Sequence, residues 1–534
     1  GARPVRLAPR ETRYSWTLRL EEMPYVIDHC LVRQPAGWHD VSDRHPVVPL
    51  TTSFELMREV ARKLVPERTP IALRDVAALR WLALDQPLTL EVTARFDGVD
   101  AVEVDLGGYA RATVVVREDY PEAPLADTAP FVDQRPAPAN AAQVYADRWL
   151  FHGPRFQGIT GIGPFGADGL RGTLRVLDSK GALVDCAGQL MVFWIMAALE
   201  HDRYALPGGV AAVDYFGPQP PAGDQITGTV RVRSVTPRAV YADLELADRN
   251  GRVWARLLGF ENRRFATDEV TWPVLRYPEL HTIATPQSGG WVRLRERWSD
   301  AASRDLIARR YLDAVEREEL RTRAPRGRRH WLMGRIAAKD AVRRWLWERG
   351  SGPLFPVEAR VRADARGRPV AHVAASETPS ISIAHSGEIA VAIAGSGPVG
   401  IDVERVEPRT PGFEELAFTP AERVLLDGLA SESPRAEVVT RFWAAKEAVA
   451  KAEGTGLEGR PTAFEVFLVD GAQLHVARRE ASGAARAYAV DTCIVDEPSA
   501  DGAASAPYVV AWTHGITAPH AQNEPPRTAR SAAP

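Results

Sequence analysis

Cysteine is scarce in this sequence. Only three occur among 534 residues, at Cys30, Cys186 and Cys493, and no two of them are close together in the chain. This usage excludes a disulfide framework, and it also excludes a zinc site built on paired cysteines. A reducing cytosol is the compartment that fits such a chain best.

The sequence also lacks a charge excess and a long hydrophobic run. The formal net charge is -3, which argues against nucleic acid or an anionic membrane as a partner. The most apolar run, "LMVFWIMAAL", has about half of the roughly 20 residues that a membrane span needs, so we interpret it as a buried helix. The opening "GARPVRLAPR" has no leader-like hydrophobic core, and we interpret the chain as a fragment excised from a longer protein.

The order of elements is repeated in the first half of the chain. In residues 10–125 the helical pattern "TTSFELMREVARKLV" is followed by alternating strand patterns such as "LTLEVTARF". In residues 140–272 the apolar helix "LVDCAGQLMVFWIMAALEHD" is again followed by alternating strands. The order predicts a distant duplication in which each repeat wraps one long helix in an antiparallel sheet, and a proline-rich surface linker joins the repeats.

A third segment covers residues 290–518. It begins with basic helices, continues with alternating strands at "SISIAHSGEIAVAIAG" and "VGIDVERV", and then has the helix "EVVTRFWAAKEAVAKAEG". We predict a separate α+β domain here. The composition of residues 519–534 predicts a disordered tail.

Asp402 and Glu404 lie two residues apart in the third segment, so on a strand both side chains point to one face. Adjacent carboxylates repel unless a cation lies between them, and oxygen ligands suit magnesium. The alternative is an exposed strand face that carries no function. On the following helix Glu447 could supply a third ligand, although it could equally form an ordinary i,i+4 pair with Lys451.

The third segment resembles a known family through five motifs in order, "GRP", "IAHSG", "VGIDVE", "FTPAE" and "FWAAKEAVAK". These motifs are similar to those of the larger, pseudo-dimeric 4'-phosphopantetheinyl transferases of the surfactin-synthetase-activator type. The resemblance implies that Asp402, Glu404 and Glu447 bind Mg²⁺ on the pyrophosphate of coenzyme A. The residues that it implies as phosphate contacts are Arg368, His385, Lys446 and Lys451, with Arg335 and Lys339 on the "GRIAAK" helix as further candidates.

The reaction that this resemblance implies is an attack by a carrier-protein serine on the β-phosphorus, which releases 3',5'-ADP. Glu422, in the position of the glutamate after "FTP", is the implied base for the serine. The sequence departs from the family at Ala384, where a serine is frequent, and at Thr455, where a basic residue is frequent. Both departures concern coenzyme binding and leave the metal ligands unchanged.

The first half of the chain contains a candidate base and a candidate acid. His29 follows "PYVID", and a histidine can carry a proton near neutral pH, although one in a loop is usually structural. Asp185 begins an apolar helix, where an aspartate either caps the helix or has its pKa raised enough to hold a proton. His39, which lies in the stretch "RQPAGWHDVSDRH", is a rival to His29.

These features resemble the double hot-dog dehydratases of polyketide and fatty-acid synthases. "PYVIDHCL" with "VVPLTTSFELM" is similar to the histidine motif, and "FHGPRFQG" with "LVDCAGQL" is similar to the motifs of the second repeat. The resemblance implies that His29 removes the α-proton of a 3-hydroxyacyl thioester, that Asp185 protonates the departing hydroxyl, and that Gln189 orients Asp185. Arg33 stands where the family has a glycine, and the stretch with His39 is an insertion.

Together the two resemblances predict an α+β protein with a double hot-dog domain followed by a pseudo-dimeric transferase domain. Such a pair is similar to the C-terminal region of iterative type I polyketide synthases, including enediyne and polyunsaturated-fatty-acid-like systems. An acyl carrier protein, in the same megasynthase or in trans, is the implied partner, and a homodimer is left open. Two alternatives also stay open, namely a hot-dog half that is only a scaffold or acyl-binding module, and one that is a thioesterase.

Overall fold

The structure is a computed structural model that describes residues 6–298, 300–479, 485–497 and 506–519. The chain divides into two compact units. Unit 1 comprises Gly1–Tyr277 and Trp298–Arg310, and unit 2 comprises Pro278–Arg297 and Tyr311–Pro534. The predicted disordered tail lies outside the described residues, except for Pro519.

Unit 1 consists of one antiparallel sheet and two long helices. Its strands are β1 (Arg10–Leu18), β2 (Thr69–Ala78), β3 (Leu88–Phe96), β4 (Ala101–Leu106), β5 (Ala110–Arg117), β6 (Ile159–Gly166), β7 (Gly169–Arg175), β8 (Tyr204–Tyr215), β9 (Gln225–Val235), β10 (Ala239–Ala247) and β11 (Val253–Phe265). Its helices are α1 (Leu50–Leu64), α2 (Ala141–Ala146), α3 (Ala182–Ala198), α4 (Thr271–Arg276) and α5 (Ala301–Tyr311), the last residue of α5 belonging to unit 2.

The sheet of unit 1 has the order β1-β3-β4-β5-β2-β8-β11-β10-β9-β7-β6. The first five strands come from the first repeat and the other six from the second, and the antiparallel pairing of β2 with β8 joins them. Helix α1 packs on the first half, and α3, which is buried on almost every side, packs on the second. The predicted double hot-dog fold, one long helix wrapped by an antiparallel sheet in each repeat, is confirmed.

The N-terminal ends of α1 and α3 lie close together. Thr52 Oγ1 donates a hydrogen bond to the carbonyl oxygen of Lys180 at 2.7 Å. Gly181, which precedes α3, has a φ of 78°, and a side chain there would overlap the backbone of Thr51 and Thr52. A glycine is therefore required where the two helices meet, and this approach places the first turn of α3 beside the first turn of α1.

Unit 2 contains two helix-on-sheet halves. Its strands are β12 (Thr285–Pro286), β13 (Trp291–Arg295), β14 (Arg360–Ala363), β15 (Pro369–His372), β16 (Ser380–Ser386), β17 (Ile389–Gly395), β18 (Gly400–Arg405), β19 (Phe464–Asp470), β20 (Gln473–Arg479), β21 (Ala485–Glu497), β22 (Ala506–Thr513) and β23 (Ile516–Pro519). Its helices are α6 (Ala314–Thr322), α7 (Pro325–Trp347), α8 (Pro411–Ala417), α9 (Pro420–Leu429) and α10 (Arg435–Glu453).

In the first half of unit 2, α7 packs on the sheet β12-β13-β17-β16. In the second half, α10 packs on the sheet β18-β22-β21-β20-β19, to which β23 adds by pairing with β21. A side chain at Gly400 would overlap the carbonyl oxygen of Ala448, so the glycine permits β18 to approach α10 closely. None of the helices in the described part of the chain is both long and apolar enough to cross a membrane.

Candidate functional site

Three buried side chains meet in unit 1. The ligand-type atoms of His29, His152 and Asp185 all lie within 4.8 Å of one another, and no other trio of histidine, cysteine or acidic residues in the described ranges is grouped in this way. All three residues are buried, with 7% or 8% of their surface exposed. His29 and Asp185 were predicted from the sequence to act together, whereas His152 was not. The signal for it was present, because the quoted motif "FHGPRFQG" contains this histidine.

The ring of His29 has one defined tautomer. Its Nδ1 lies 2.6 Å from the carbonyl oxygen of Val47, and a carbonyl can only accept, so Nδ1 carries the proton and Nε2 keeps a lone pair. Burial lowers the pKa of His29 to about 4, and the opposing effect of Asp185 is smaller. The ring is therefore neutral at physiological pH, as a general base must be.

The inserted stretch forms a loop that closes on itself. Cys30 pairs with Pro46, and the backbone N–H groups of Leu31 and Val32 donate to the carbonyl oxygens of His45 and Arg44. The chain thus returns to Val47 directly beside His29. His39 is exposed within this loop, and the structure brings His29 rather than His39 to Asp185.

Asp185 is held by Gln189 on α3 and by His152 in the segment between α2 and β6. Gln189 Nε2 donates to Asp185 Oδ2 at 2.8 Å, and His152 Nε2 lies 3.3 Å from the same oxygen. Gln189 is itself fixed, since its Oε1 accepts from Tyr145 Oη at 2.8 Å. The N-cap of α3 is Gly181, which has no side-chain cap, so the alternative of Asp185 as a capping residue does not hold.

The predicted rise in the pKa of Asp185 is not what the structure gives. Burial by itself raises the pKa of this carboxyl, but the hydrogen bond and charge of His152 oppose it, with smaller contributions from His29 and Gln189. The result is a pKa below the ordinary value. The apolar helix suggested the opposite direction because the sequence did not reveal a basic partner for this carboxylate.

Hydrophobic residues surround these groups and form a narrow cleft. Its open space is about 90 Å³, and its lining includes His29, His152, Asp185 and Gln189 together with apolar residues such as Val48 and Val192. Such a cleft, apolar with a few convergent polar groups, is typical of a site for a small organic chain.

Three carboxylates come together in unit 2. Burial and the nearby charge of Asp402 raise the pKa of Glu404, and the same two causes raise the pKa of Glu447 to about 7. Asp402 and Glu404 lie on β18, and Glu447 lies on α10, so the close approach at Gly400 brings them together. A bound cation would relieve the repulsion among these three acids.

The carboxylate oxygens of the three acids are ligands of the kind that magnesium prefers. Their ligand atoms do not all lie within 4.8 Å of one another, unlike those of His29, His152 and Asp185 in unit 1. Oδ2 of Asp402 is buried and has no hydrogen-bond partner among the described residues. Its Oδ1 accepts from Lys451 Nζ at 2.7 Å, and Glu404 pairs with Arg409. Cationic side chains thus partly neutralise the acids, and one buried oxygen remains available to a metal ion.

Two further predicted phosphate contacts lie near these acids. His385 stacks on His330 with ring centroids 4.9 Å apart, and burial, His330 and Lys451 together lower the pKa of His385. Arg368 packs against Gly454 just beyond the end of α10, the end that carries Lys451. His330 was not predicted from the sequence. The predicted assignments of Asp402, Glu404, Glu447, His385, Arg368 and Lys451 therefore fall in one region of unit 2.

The structure contradicts the predicted roles of Glu422 and Lys446. Both side chains are fully buried, and they form an ion pair of 2.8 Å. Glu422 also accepts from the backbone N–H of Thr419 at 2.7 Å and of Val466 at 2.8 Å. Glu422 therefore anchors the start of α9 to β19, and neither a serine nor a phosphate can reach these groups.

The predicted role of Lys339 is contradicted for the same reason, whereas that of Arg335 stays a prediction. Lys339 forms a fully buried pair of 2.7 Å with Glu316, and Glu316 accepts from the N–H groups of Asp313 and Val361. This arrangement repeats that of Lys446 and Glu422 in the other half of unit 2. Arg335 is 93% buried, and it packs over Trp331 and pairs with Glu319.

Replacing Lys446 with methionine is expected to destabilise the protein by roughly 3–5 kcal/mol, because Glu422 would remain buried without its cation. Urea unfolding of the full chain, followed by circular dichroism, measures the change. The matched control is Arg321→Met, which removes an exposed pair with Glu318 and should cost about 1 kcal/mol or less. Equal stabilities of the two variants would contradict the structural role of Lys446.

Comparisons with known proteins agree with both resemblances. Residues 398–501 match the family model of the 4'-phosphopantetheinyl transferase superfamily. This stretch includes Lys451 and the three acids of unit 2. Residues 121–271 match the model of the polyketide synthase dehydratase N-terminal domain. This stretch includes His152 and Asp185 but not His29. A Synechocystis sp. protein provisionally named a 4'-phosphopantetheinyl transferase, slr0495, is 27% identical over 170 residues, which make up 30% of this chain and 65% of that protein.

Similar solved structures include polyketide synthase dehydratase domains. One, from a mycocerosic acid synthase-like synthase, is 18% identical with a TM-score of 0.38, covering 50% of this chain and 98% of that one. Another, from the CurF module of curacin synthase, is 17% identical with a TM-score of 0.38, covering 49% and 99%. A third, from Brevibacillus brevis, is 19% identical with a TM-score of 0.37, covering 48% and 94%.

The two family matches lie in the order that the motifs predict, the dehydratase match in unit 1 and the transferase match in unit 2. The curated relative is covered over less than two thirds of its length. Residues 121–271 are thus similar to polyketide synthase dehydratase domains, and residues 398–501 are similar to the 4'-phosphopantetheinyl transferase superfamily.

Proposed function

We propose that unit 2 transfers 4'-phosphopantetheine from coenzyme A to a serine of an acyl carrier protein. The observation that carries this proposal is the cluster of Asp402, Glu404 and Glu447, in which Oδ2 of Asp402 is buried and lacks a partner among the described residues. The predicted domain, residues 290–518, contains this cluster, and we retain that assignment as part of the proposal.

In this proposal the three acids hold Mg²⁺, and Lys451, His385 and Arg368 bind phosphate oxygens. Bound there, the metal neutralises charge on the pyrophosphate of coenzyme A. Lys451 has its Nζ on Asp402 in this structure, so its ammonium group already lies beside the proposed metal site. Positive side chains around a pyrophosphate stabilise the charge that develops as the phosphoanhydride bond to 3',5'-ADP breaks.

We propose further that unit 1, over residues 10–125 and 140–272, eliminates water from 3-hydroxyacyl thioesters carried on a phosphopantetheine arm. Nε2 of His29 takes the α-proton, the carbon–oxygen bond of the hydroxyl breaks, and a 2-enoyl thioester forms. The leaving hydroxide needs one proton, and that proton is held between Asp185 and His152, whose Nε2 and Oδ2 lie 3.3 Å apart. Gln189 orients Asp185 through its hydrogen bond.

The proximity of the two histidines supports a complete proton cycle. The rings of His29 and His152 have centroids 5.1 Å apart. After each turnover His29 carries the substrate's proton and the pair of Asp185 and His152 lacks one. A transfer over this short distance, direct or through a water molecule, returns both groups to their starting states.

As the pH is lowered, the rate of dehydration should stay constant until the pH approaches about 4, the pKa of His29. The lowered pKa of His29 means that the folded protein keeps this base neutral as the pH falls, until it passes about 4. A solvent-exposed histidine would instead become protonated near 6.5. The acidic limb of a kcat/KM profile measures this, with circular dichroism at each pH to verify folding, and a limb near 6.5 would contradict the buried base.

The proposed activities are tested by two assays on the full chain. Incubation with coenzyme A, Mg²⁺ and an apo-carrier protein should add the mass of phosphopantetheine to the carrier, read by intact mass spectrometry. Incubation with a 3-hydroxyacyl carrier should give the enoyl product. Free acid in the second assay would instead indicate a thioesterase, and an unchanged substrate would indicate a scaffold.

A further inference from the structure

A second cavity adjoins the cleft of unit 1. It has a volume of about 810 Å³. Five residues line both spaces, namely Ala78, Arg80, Trp81, Leu206 and Pro207. The second cavity has a far larger volume than the cleft. We call it the vestibule, and the cleft beside it contains His29 and Asp185.

Arginine dominates the charge of this vestibule. Five arginines line it against three aspartates: Arg80, Arg238, Arg263, Arg264 and Arg309, with Asp202, Asp300 and Asp305. The cleft, in contrast, is lined mainly by apolar side chains. A molecule that fits both spaces must therefore be apolar at one end and anionic at the other.

The backbone and neighbouring rings fix several of these arginines in place. Arg264 donates to the carbonyl oxygens of His201, Asp202 and Thr236. Arg80 donates to the carbonyl oxygens of Gly107 and Gly108 and packs over the ring of Tyr109. Carbonyl oxygens and rings orient a guanidinium without cancelling its charge, so these two keep their attraction for an anion.

Other charges around the vestibule are paired. Arg309 binds Asp305 at 2.8 Å, and its other nitrogen lies 3.1 Å from Nδ1 of His45, at the closing end of the inserted loop. Asp300 accepts from Ser303. Arg263 in turn pairs with Glu261 at 3.3 Å, so the arginines outside these ion pairs are Arg80, Arg238 and Arg264.

We propose that this vestibule binds the phosphate ester at the distal end of a pantetheine thioester, while the thioester and acyl chain occupy the cleft. The inference rests on the dehydration proposed above and names where its substrate enters. Both a carrier protein and coenzyme A present this phosphate. Arg80, which borders both spaces, is the residue expected to contribute most.

A rival entrance exists on the side of the inserted loop. A cavity of about 400 Å³ meets the cleft at Phe151 and His152 and contains Arg33 and Arg44 opposite Asp28. It is smaller than the vestibule and less rich in arginine. Arg44 also donates to the carbonyl oxygen of Ile27. Arg44 therefore serves as the matched control in the test.

The test compares dehydration of three substrates with the same 3-hydroxyacyl group, carried on a carrier protein, on coenzyme A and on phosphate-free pantetheine. Mg²⁺ is removed with EDTA to keep the transferase silent. Arg80→Gln should raise KM about tenfold for the first two, because a charge-assisted hydrogen bond is lost. KM and kcat for the pantetheine thioester should stay within about twofold, and Arg44→Gln should resemble wild type throughout.

Three results would overturn the proposal. An effect of Arg80→Gln on the carrier substrate alone would mean that arginine contacts the carrier protein rather than the phosphate. An equal loss with all three substrates would mean that Arg80 only supports the cleft. A phosphate-dependent loss in Arg44→Gln and not in Arg80→Gln would transfer the role to the rival entrance.

Binding measurements separate this proposal from the dehydration itself. Calorimetry compares 3-hydroxyacyl phosphopantetheine with 3-hydroxyacyl pantetheine on wild type and Arg80→Gln, and any binding to unit 2 is common to both proteins. A phosphate-dependent difference of about tenfold between the proteins supports the vestibule even if no enoyl product forms. Equal affinities would refute it, whatever the activity.

Discussion

Replacing Asp402 with asparagine is expected to reduce phosphopantetheine transfer roughly 1000-fold, because a lost metal ligand removes several kcal/mol of charge stabilisation from the reaction. Asp402 is the acid whose charge most affects its neighbours, since it is a cause of the raised pKa of both Glu404 and Glu447. Its Oδ2 is also buried without a hydrogen-bond partner among the described residues. Intact mass of the carrier over time, at increasing Mg²⁺, measures the loss.

The matched control for this variant is Glu407→Gln. Glu407 follows β18 and pairs with Arg409, but its side chain is about half exposed. Transfer by this control should remain near the wild-type rate. If Asp402→Asn transfers at the wild-type rate over the same Mg²⁺ range, the metal site is elsewhere and the proposal for unit 2 fails.

Replacing His29 with glutamine should reduce dehydration by about 100- to 10,000-fold, the range for loss of a general base. Glutamine can still donate to the carbonyl oxygen of Val47, so the local fold is kept while the basic lone pair is lost. Transfer by unit 2 should be unchanged, which shows that the chain is folded. The measurement is formation of enoyl product from a 3-hydroxyacyl carrier substrate.

His39 offers the control for this second variant. It lies exposed in the inserted loop, 10 positions along the chain from His29, and His39→Gln should dehydrate like wild type. The reverse pattern, with His39→Gln inactive and His29→Gln active, would assign the base to the loop. Loss in neither variant would favour the scaffold alternative for unit 1.

Sequence patterns predicted the regular elements of the fold well. The alternating stretch "LTLEVTARF" is β3 from end to end, and "QITGTVRVRSV" is β9. The sequence pattern did not predict strand β8, because the "PGG" within it is typical of a turn. The structure explains it, since a side chain at Gly209 would meet the carbonyl oxygen of Val76 where β8 joins β2. Such a close approach between repeats is a tertiary property.

The site was predicted less completely than the fold. Motif order located the acids of unit 2, but it could not show that neighbouring residues on α10 point apart, so that Glu447 faces Asp402 while Lys446 is buried against Glu422. In unit 1 the sequence identified His29 and Asp185. The pKa of Asp185 depends on His152, and contact between residues 33 positions apart depends on the fold.

The inserted loop after His29 has a consequence for how this chain can vary. Its two ends are tied by the pairing of Cys30 with Pro46 and by hydrogen bonds from Leu31 and Val32. Residues between these ties are added or removed at little entropic cost, since loop closure depends only weakly on length. The exposed segment around Gly37 is therefore suited to carry a label that leaves the base in place.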